Sequence, residues 1–154
     1  MPIRYSQKFI STNKAMRILF LCVANSARSQ IAEGIAREML GKDHDVRSAG
    51  SEPSGSVHPD AIKVLDEIGI DASLHLSKSV DDLDEDFIDN LDYVITLCAE
   101  EACPAYITHA KKLHWINEDP ANAAYSDFES LQAFRKAREN IYNLMKKFFV
   151  MNLA

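Results

Sequence analysis

Cys22 and Arg28 lie at the two ends of a loop of small residues, Val23, Ala24, Asn25, Ser26 and Ala27. Backbone N–H groups in such a loop can converge on one point, and a planar guanidinium suits two oxygens of a tetrahedral anion. A helix that begins near Ser29 would add its positive end. We therefore expect Cys22 to be a thiolate at neutral pH that attacks a bound oxyanion. The alternative is a buried core cysteine, which would need neither the loop nor Arg28.

Asp119 precedes Pro120 in a segment that follows a predicted strand. Proline fixes the backbone there, and a carboxylic acid close to the loop could protonate a departing oxygen. The alternative is an ordinary loop aspartate before a turn proline, and the two interpretations remain open at this point.

Cys98 and Cys103 form a second candidate site, just beyond another predicted strand. They could bind zinc, be inert, or exchange disulfides. A structural zinc site needs four ligands, and the nearest candidates, His109 and His114, have poor spacing. Three cysteines also argue against a framework of structural disulfides, so we favour redox exchange over a metal site.

The elements that must hold these side chains alternate between strand and helix. Strands are predicted over residues 17–22, 45–49, 93–97 and 112–116, and helices over 29–40, 58–69, 81–90 and roughly the last 25 residues. This alternation is typical of an α/β three-layer sandwich with a four-stranded parallel sheet flanked by helices. In such sheets ligands bind beyond the carboxyl ends of the strands, where Cys22 and Cys98 both fall.

Length and composition indicate one domain. The chain has 154 residues with 47% hydrophobic content, which suits a single catalytic domain over residues 16–150. Residues 1–15 show no clear period, and we expect a flexible N-terminal extension. A formal net charge of -6 and an acidic stretch over 81–89 argue against nucleic-acid binding. With no apolar run of membrane-spanning length and no secretory segment, we expect a cytoplasmic monomer that does not bind membranes.

Taken together, several motifs resemble arsenate reductases of the low-molecular-weight protein tyrosine phosphatase superfamily. The similarity covers about residues 16–150 and rests on the segments 22–34 (Cys-Val-Ala-Asn-Ser-Ala-Arg-Ser-Gln-Ile-Ala-Glu-Gly), 48–50 (Ser-Ala-Gly), 94–98 (Val-Ile-Thr-Leu-Cys), 103–104 (Cys-Pro), 114–115 (His-Trp) and 119–121 (Asp-Pro-Ala). The resemblance implies the three-layer α/β sandwich with a four-stranded parallel sheet, and the reduction of arsenate to arsenite.

The resemblance also implies a role for each matched residue. Cys22 matches the nucleophile, Arg28 the oxyanion-binding arginine, and Ser29 the hydroxyl that supports the thiolate. Asn25 matches the residue that holds the loop's shape, and Asp119 the general acid. Cys98 and Cys103 match two relay cysteines, which carry a disulfide from Cys22 outward to a thioredoxin-type reductant, or to glutaredoxin with glutathione.

No resident cofactor or metal is expected. Some relatives hold a potassium ion beside the loop with an aspartate that follows a His-x-Ser stretch, but here Lys78 follows His75, Leu76 and Ser77. We expect the Lys78 ammonium to replace the ion and to pair with Glu33, so that activity does not depend on potassium. A plain surface lysine is the alternative.

Two other functions fit part of the pattern. A phosphatase acting on phosphomonoesters would use Cys22, Arg28 and Asp119 equally well, but would leave Cys98 and Cys103 idle. A non-enzymatic anion-binding or phospho-carrier domain would need neither an acid nor a second thiol. We therefore favour the reductase.

Overall fold

The computed structural model describes residues 15–99, 107 and 109–153, and these contain a sheet of four parallel strands. The strands are β1 (Arg17–Leu21), β2 (Asp45–Ala49), β3 (Tyr93–Thr96) and β4 (Lys111–His114), in the order β2-β1-β3-β4. Leu21 lies opposite both Ala49 and Thr96, and Thr96 lies opposite His114. All four strands therefore end at one edge of the sheet. Of the extension predicted over residues 1–15, residues 1–14 lie outside the described residues.

Helices cover both faces of this sheet, which confirms the predicted three-layer sandwich. On one face, Ile18 and Phe20 of β1 pack against α1 (Arg28–Leu40), α2 (Pro59–Asp66) and α4 (Asp127–Leu153). On the other face, Leu19 and Leu21 pack against α3 (Glu85–Asp89) and a single 3-10 turn (Val80–Asp82). These four side chains are completely buried, as expected for a central parallel strand covered on both sides.

The ends of α1 and α2 follow from their flanking residues. Gly41 ends α1 with a φ of 82°, a conformation that glycine adopts without steric cost, and its N–H donates to the Arg37 carbonyl. His58 caps α2, since its Nδ1 accepts the N–H of Asp60 at 3.0 Å, and Pro59 occupies the first helical position.

The prediction of one helix over residues 81–90 is wrong, because that segment is interrupted at Leu83 and Asp84. The 3-10 turn Val80–Asp82 ends first, and α3 begins at Glu85. Asp84 has extended backbone angles and accepts the N–H of Phe87 at 2.8 Å, so it caps α3 instead of continuing the preceding turn.

The fourth strand also differs from its prediction over 112–116, since β4 runs from Lys111 to His114. The predicted strand extended too far because Trp115 is apolar, although it lies beyond the end of β4. Its ring packs against Phe20 and Phe148 of the core. Hydrophobicity at this position thus reflects burial of a loop residue and does not mark the strand.

Among the described residues, none of the helices combines the length and the apolar character that a membrane span requires.

Candidate active site

The segment between β1 and α1 is held by hydrogen bonds to its backbone carbonyl groups. These carbonyls accept hydrogen bonds from the backbone that follows β2, in the pairs Glu52 N–Val23 O at 2.9 Å, Ser54 N–Ala24 O at 3.0 Å and His58 N–Ser26 O at 2.9 Å. Because C=O and N–H point in opposite directions across a planar peptide unit, the N–H groups of the same three units, those of Ala24, Asn25 and Ala27, point away from that backbone. This is the arrangement of a backbone anion site. We call residues 22–28 the cradle.

The helix that follows the cradle adds further donors. α1 begins at Arg28, and no side chain caps it at Ala27. The first N–H groups of a helix have no partner within the helix, and they carry its positive partial charge. The predicted oxyanion-binding residues, Val23 to Arg28, therefore lie where backbone donors and a helix N-terminus meet.

Asn25 holds the shape of the cradle from within. Its φ is 47°, in the left-handed region that asparagine tolerates better than most residues, and it is completely buried. Its Nδ2 donates to the hydroxyls of Ser29 at 2.8 Å and Ser48 at 2.9 Å, while its Oδ1 accepts the N–H of Lys78 at 2.9 Å. One side chain thus joins the loop, α1, β2 and the segment around Lys78.

Ser29 lies against the nucleophile. Its Oγ is 2.8 Å from the Cys22 Sγ, and both residues are buried. Because Asn25 already donates to this hydroxyl, the hydroxyl hydrogen remains available for the sulfur. The Ser29 hydroxyl is therefore placed to donate a hydrogen bond to the sulfur that we expect to attack.

Arg28 and Asp119 approach each other at the mouth of the cradle. The Arg28 NH2 is 3.7 Å from the Asp119 Oδ2, and its NH1 donates to the Asn117 carbonyl at 2.8 Å. The Asn117 N–H in turn donates to the Leu97 carbonyl at 2.9 Å, which attaches this segment to the end of β3. The Asp119 side chain is 56% exposed while that of Arg28 is 12% exposed, so the carboxyl lies at the solvent side of the cradle.

Cys98 lies two residues beyond β3, the strand adjacent to β1. Leu97 donates its N–H to the Leu21 carbonyl at 2.8 Å, so the segments that carry Cys22 and Cys98 leave the same edge of the sheet side by side. The two cysteines are 3% and 1% exposed and belong to the same core cluster. Cys103 lies outside the described residues.

A buried carboxylate stands behind the cradle, linked to it by hydrogen bonds. Glu33 is 2% exposed, and its Oε1 accepts from the Ser48 hydroxyl at 3.2 Å. Its cationic neighbours are Lys78 Nζ at 3.7 Å, Arg37 NH1 at 3.6 Å and, when protonated, His75 Nδ1 at 3.4 Å. Burial lowers the pKa of both Lys78 and His75 because it penalises their charged forms, although Glu33 opposes the shift. The predicted pairing of Lys78 with Glu33 is present.

Sequence reasoning assigned no role to several residues that shape this site. Gln30 is completely buried and contacts Asn25, and the Asn117 carbonyl orients Arg28. Gly50 packs so closely against the cradle that a side chain would collide with the backbone of Cys22 and Val23. The available signal was weak: a glutamine at the third position of a helix and a glycine after a strand.

Within residues 15–99, 107 and 109–153, no group of three or more His, Cys, Asp or Glu side chains is placed to hold a metal ion.

Comparison with known proteins agrees with this geometry. The family model for low molecular weight phosphotyrosine protein phosphatase matches residues 17–153. Arsenate reductase of Bacillus subtilis strain 168 is 42% identical over 133 residues, which cover 85% of this chain and 93% of that protein. A solved arsenate reductase in the phosphate binding state superimposes with a TM-score of 0.73 at 33% identity, covering 88% of this chain and 98% of that one. A thioredoxin-dependent arsenate reductase of Corynebacterium glutamicum has a TM-score of 0.66 at 30% identity, covering 92% of this chain and 66% of that one.

Proposed function

The chain belongs to the low molecular weight phosphotyrosine protein phosphatase family, and we propose that within this family it acts as an arsenate reductase, as its relative in Bacillus subtilis does. The observation that carries this proposal is the position of a second buried cysteine, Cys98, at the strand end adjacent to that of Cys22. Hydrolysis of a phosphate ester needs one thiolate, whereas reduction of arsenate requires two electrons, which two thiols supply by forming a disulfide.

The first step joins the sulfur of Cys22 to arsenic. Arsenate enters the cradle, where backbone N–H groups and Arg28 bind its oxygens. Cys22 attacks the As(V) centre, and Asp119 gives a proton to the departing oxygen so that water leaves. The product is a covalent thiol-arsenate adduct that still contains As(V).

The second step reduces the arsenic. Cys98 attacks the Cys22 sulfur as a thiolate, an S–S bond forms, and the S–As bond breaks. The electron pair of that bond stays on arsenic, so arsenite is released and the two thiols are oxidised to a Cys22–Cys98 disulfide.

The third step returns Cys22 to its thiolate form. Cys103 attacks Cys98, which frees Cys22 and moves the disulfide to Cys98–Cys103, where a thioredoxin-type protein reduces it. The thioredoxin-dependent reductase of Corynebacterium glutamicum supports this choice of partner over glutaredoxin with glutathione. We place the enzyme in the cytoplasm, where thiols remain reduced.

The competing activity is hydrolysis of phosphomonoesters through a Cys22 phosphocysteine. Cys22, Arg28 and Asp119 would suffice for it, since phosphate and arsenate have the same shape and charge. The two activities differ in their need for Cys98, which the phosphatase reaction does not use.

The deciding experiment measures arsenite formed from arsenate by the reduced protein and by Cys22→Ser, Cys98→Ser and Cys103→Ser. Without added reductant, the wild type and Cys103→Ser should each form a single arsenite per chain, while the other two variants form none. With thioredoxin and thioredoxin reductase, only the wild type should turn over repeatedly. Phosphate should still protect Cys22 of Cys98→Ser from iodoacetamide, which shows that this variant keeps its site. If arsenate is left intact and 4-nitrophenyl phosphate is hydrolysed equally well by Cys98→Ser, the protein is a phosphatase.

A further inference from the structure

Gln30 is a polar side chain with no access to solvent, directly behind the cradle. Its Nε2 lies 3.1 Å from the Asn25 carbonyl, 3.0 Å from the Asn25 Oδ1 and 2.8 Å from the Leu76 carbonyl. An amide nitrogen has two hydrogens, so Leu76 takes one and the two oxygens of Asn25 share the other. The amide group of Gln30 therefore binds the cradle to the segment that follows α2.

The oxygen of the same amide accepts no hydrogen bond that would offset its burial. Gln30 Oε1 is buried and has no hydrogen-bond partner among the described residues. Burial of an unsatisfied acceptor costs free energy. Reversing the amide would be worse, because Oε1 would then face three acceptors and all three hydrogen bonds would be lost. What keeps Gln30 in this orientation is therefore its NH2 group.

Those hydrogen bonds act on two parts of the cradle at once. Holding the Asn25 carbonyl directs the N–H of the same peptide unit, that of Ser26, to the side opposite Gln30, where we place the anion. Holding Oδ1 orients the Asn25 amide so that its Nδ2 reaches Ser29, the residue that contacts Cys22. Both effects help a residue with left-handed backbone angles keep its conformation before any anion arrives.

The segment on the other side of Gln30 supports the same loop. Its Ser77 hydroxyl donates to the Ala24 carbonyl at 3.0 Å, and its Lys78 N–H donates to the Asn25 Oδ1 at 2.9 Å. By binding the Leu76 carbonyl, Gln30 fixes this segment against the cradle.

We propose that Gln30 is a positioning residue for oxyanion binding: its side-chain NH2 group preorganises the cradle through Asn25 and Leu76. This inference rests on the proposed oxyanion chemistry at Cys22. It predicts that a side chain of the same shape without the NH2 donor weakens anion binding even when the protein remains folded.

The test compares Gln30→Glu with Gln30→Met, using inorganic phosphate as the probe. The readout is the phosphate concentration that half-protects Cys22 from iodoacetamide, measured between pH 5.5 and 8.5 and divided by the wild-type value at each pH. Glutamate keeps the shape of glutamine but donates a hydrogen only when protonated, and its burial among oxygen acceptors favours the protonated form. Methionine has similar length and never donates. Ile35→Val, a buried change on the same helix, controls for loss of stability.

At pH 8.5 both Gln30 variants should need about tenfold more phosphate than the wild type, the size expected for one lost hydrogen bond to a buried group. Toward pH 5.5 the ratio for Gln30→Glu should fall severalfold while that for Gln30→Met stays constant, and Ile35→Val should match the wild type throughout. Equal ratios for the two Gln30 variants at every pH would reduce Gln30 to a packing role and overturn the inference. If Gln30→Met does not fold, the pH profile of Gln30→Glu decides alone.

This experiment also separates the inference from the function it rests on. If phosphate does not protect Cys22 of the wild type at all, the oxyanion site itself is wrong. If phosphate protects the wild type and both Gln30 variants equally, only the role of Gln30 is wrong.

Discussion

The hydroxyl of Ser29 lies 2.8 Å from the sulfur of Cys22 and accepts a hydrogen bond from Asn25 on its other side. A hydroxyl that accepts from Asn25 keeps its own hydrogen, so it can donate that hydrogen to the Cys22 sulfur. Asn25 in turn contacts Ser48, which donates to Glu33. The nucleophile is thus the first member of a buried hydrogen-bonded series that ends at a carboxylate paired with Lys78.

Removal of the Ser29 hydroxyl should make Cys22 less reactive. In Ser29→Ala the thiolate loses its donor, and hydrogen bonds to charged groups contribute about 1.5–3 kcal/mol. We expect alkylation of Cys22 by iodoacetamide at pH 7 to slow by about tenfold or more. Ser56→Ala, at an exposed serine in the segment after β2, is the control and should react at the wild-type rate. Equal rates for Ser29→Ala and the wild type would show that the contact does not support the thiolate.

Gly50 should be intolerant of any side chain. A Cβ there would lie 2.3 Å from the Val23 carbonyl oxygen and 2.6 Å from that of Cys22, so the cradle backbone would have to shift. A displacement of about 1 Å at a catalytic group can cost about a hundredfold in rate, and we expect a loss of at least that order in arsenite formation by Gly50→Ala.

Gly55→Ala is the matched control for Gly50→Ala. Gly55 has a φ of 92°, yet a Cβ there would meet nothing within 4 Å. The control should lose about 1–2 kcal/mol of unfolding free energy to backbone strain and keep its turnover rate. Similar turnover in the two variants would contradict the steric explanation.

The sheet and the nucleophile were predictable because their signals are local. β1, the small residues after Cys22, and Arg28 at the start of α1 occupy a dozen consecutive positions, and alternating strands and helices imply a parallel sheet. The same reasoning could not find Gln30. Polar residues on a helix predict a solvated face, but every side chain of α1 from Ser29 to Ala36 is buried.

Long-range backbone contacts left no signal in the sequence at all. Arg28 is oriented by the carbonyl of Asn117, which any residue type would provide. The break at Asp84 was equally hidden, since aspartate is common both within an acidic helix and as a cap. Such features depend on which segments the fold brings together, and the pattern of residue types does not specify that.

His75 should make the fold less stable in acid. Burial lowers the pKa of this imidazole below 6.5, against the opposing effect of Glu33. Below pH 6.5 the unfolded chain therefore binds more protons than the folded one at this position, so the free energy of unfolding falls as pH drops toward and through the folded-state pKa.

The contribution of His75 can be isolated by urea unfolding at pH 7.5 and pH 5. His75→Gln removes the titrating group and should lose less stability between these two pH values than the wild type does. His109→Gln, at an exposed histidine, should lose as much as the wild type. If His75→Gln and the wild type lose equal stability, protonation of His75 does not contribute.

Lys78 should make the enzyme independent of potassium. Its Nζ lies 3.7 Å from Glu33 Oε1 and donates to the Leu76 carbonyl at 3.2 Å, so an ammonium already stands beside the buried carboxylate. Wild-type arsenite formation should be the same in KCl and in NaCl at equal ionic strength. In Lys78→Ala the carboxylate of Glu33 loses a compensating charge, so activity in choline chloride should fall by about tenfold. Replacing choline chloride with KCl should restore part of that activity.

Lys63→Ala, at an exposed lysine that pairs with Asp60, is the control and should behave as the wild type in all three salts. Stimulation of the wild type by KCl beyond that in NaCl would mean that Lys78 does not replace an ion, and that the carboxylate of Glu33 still has room for one.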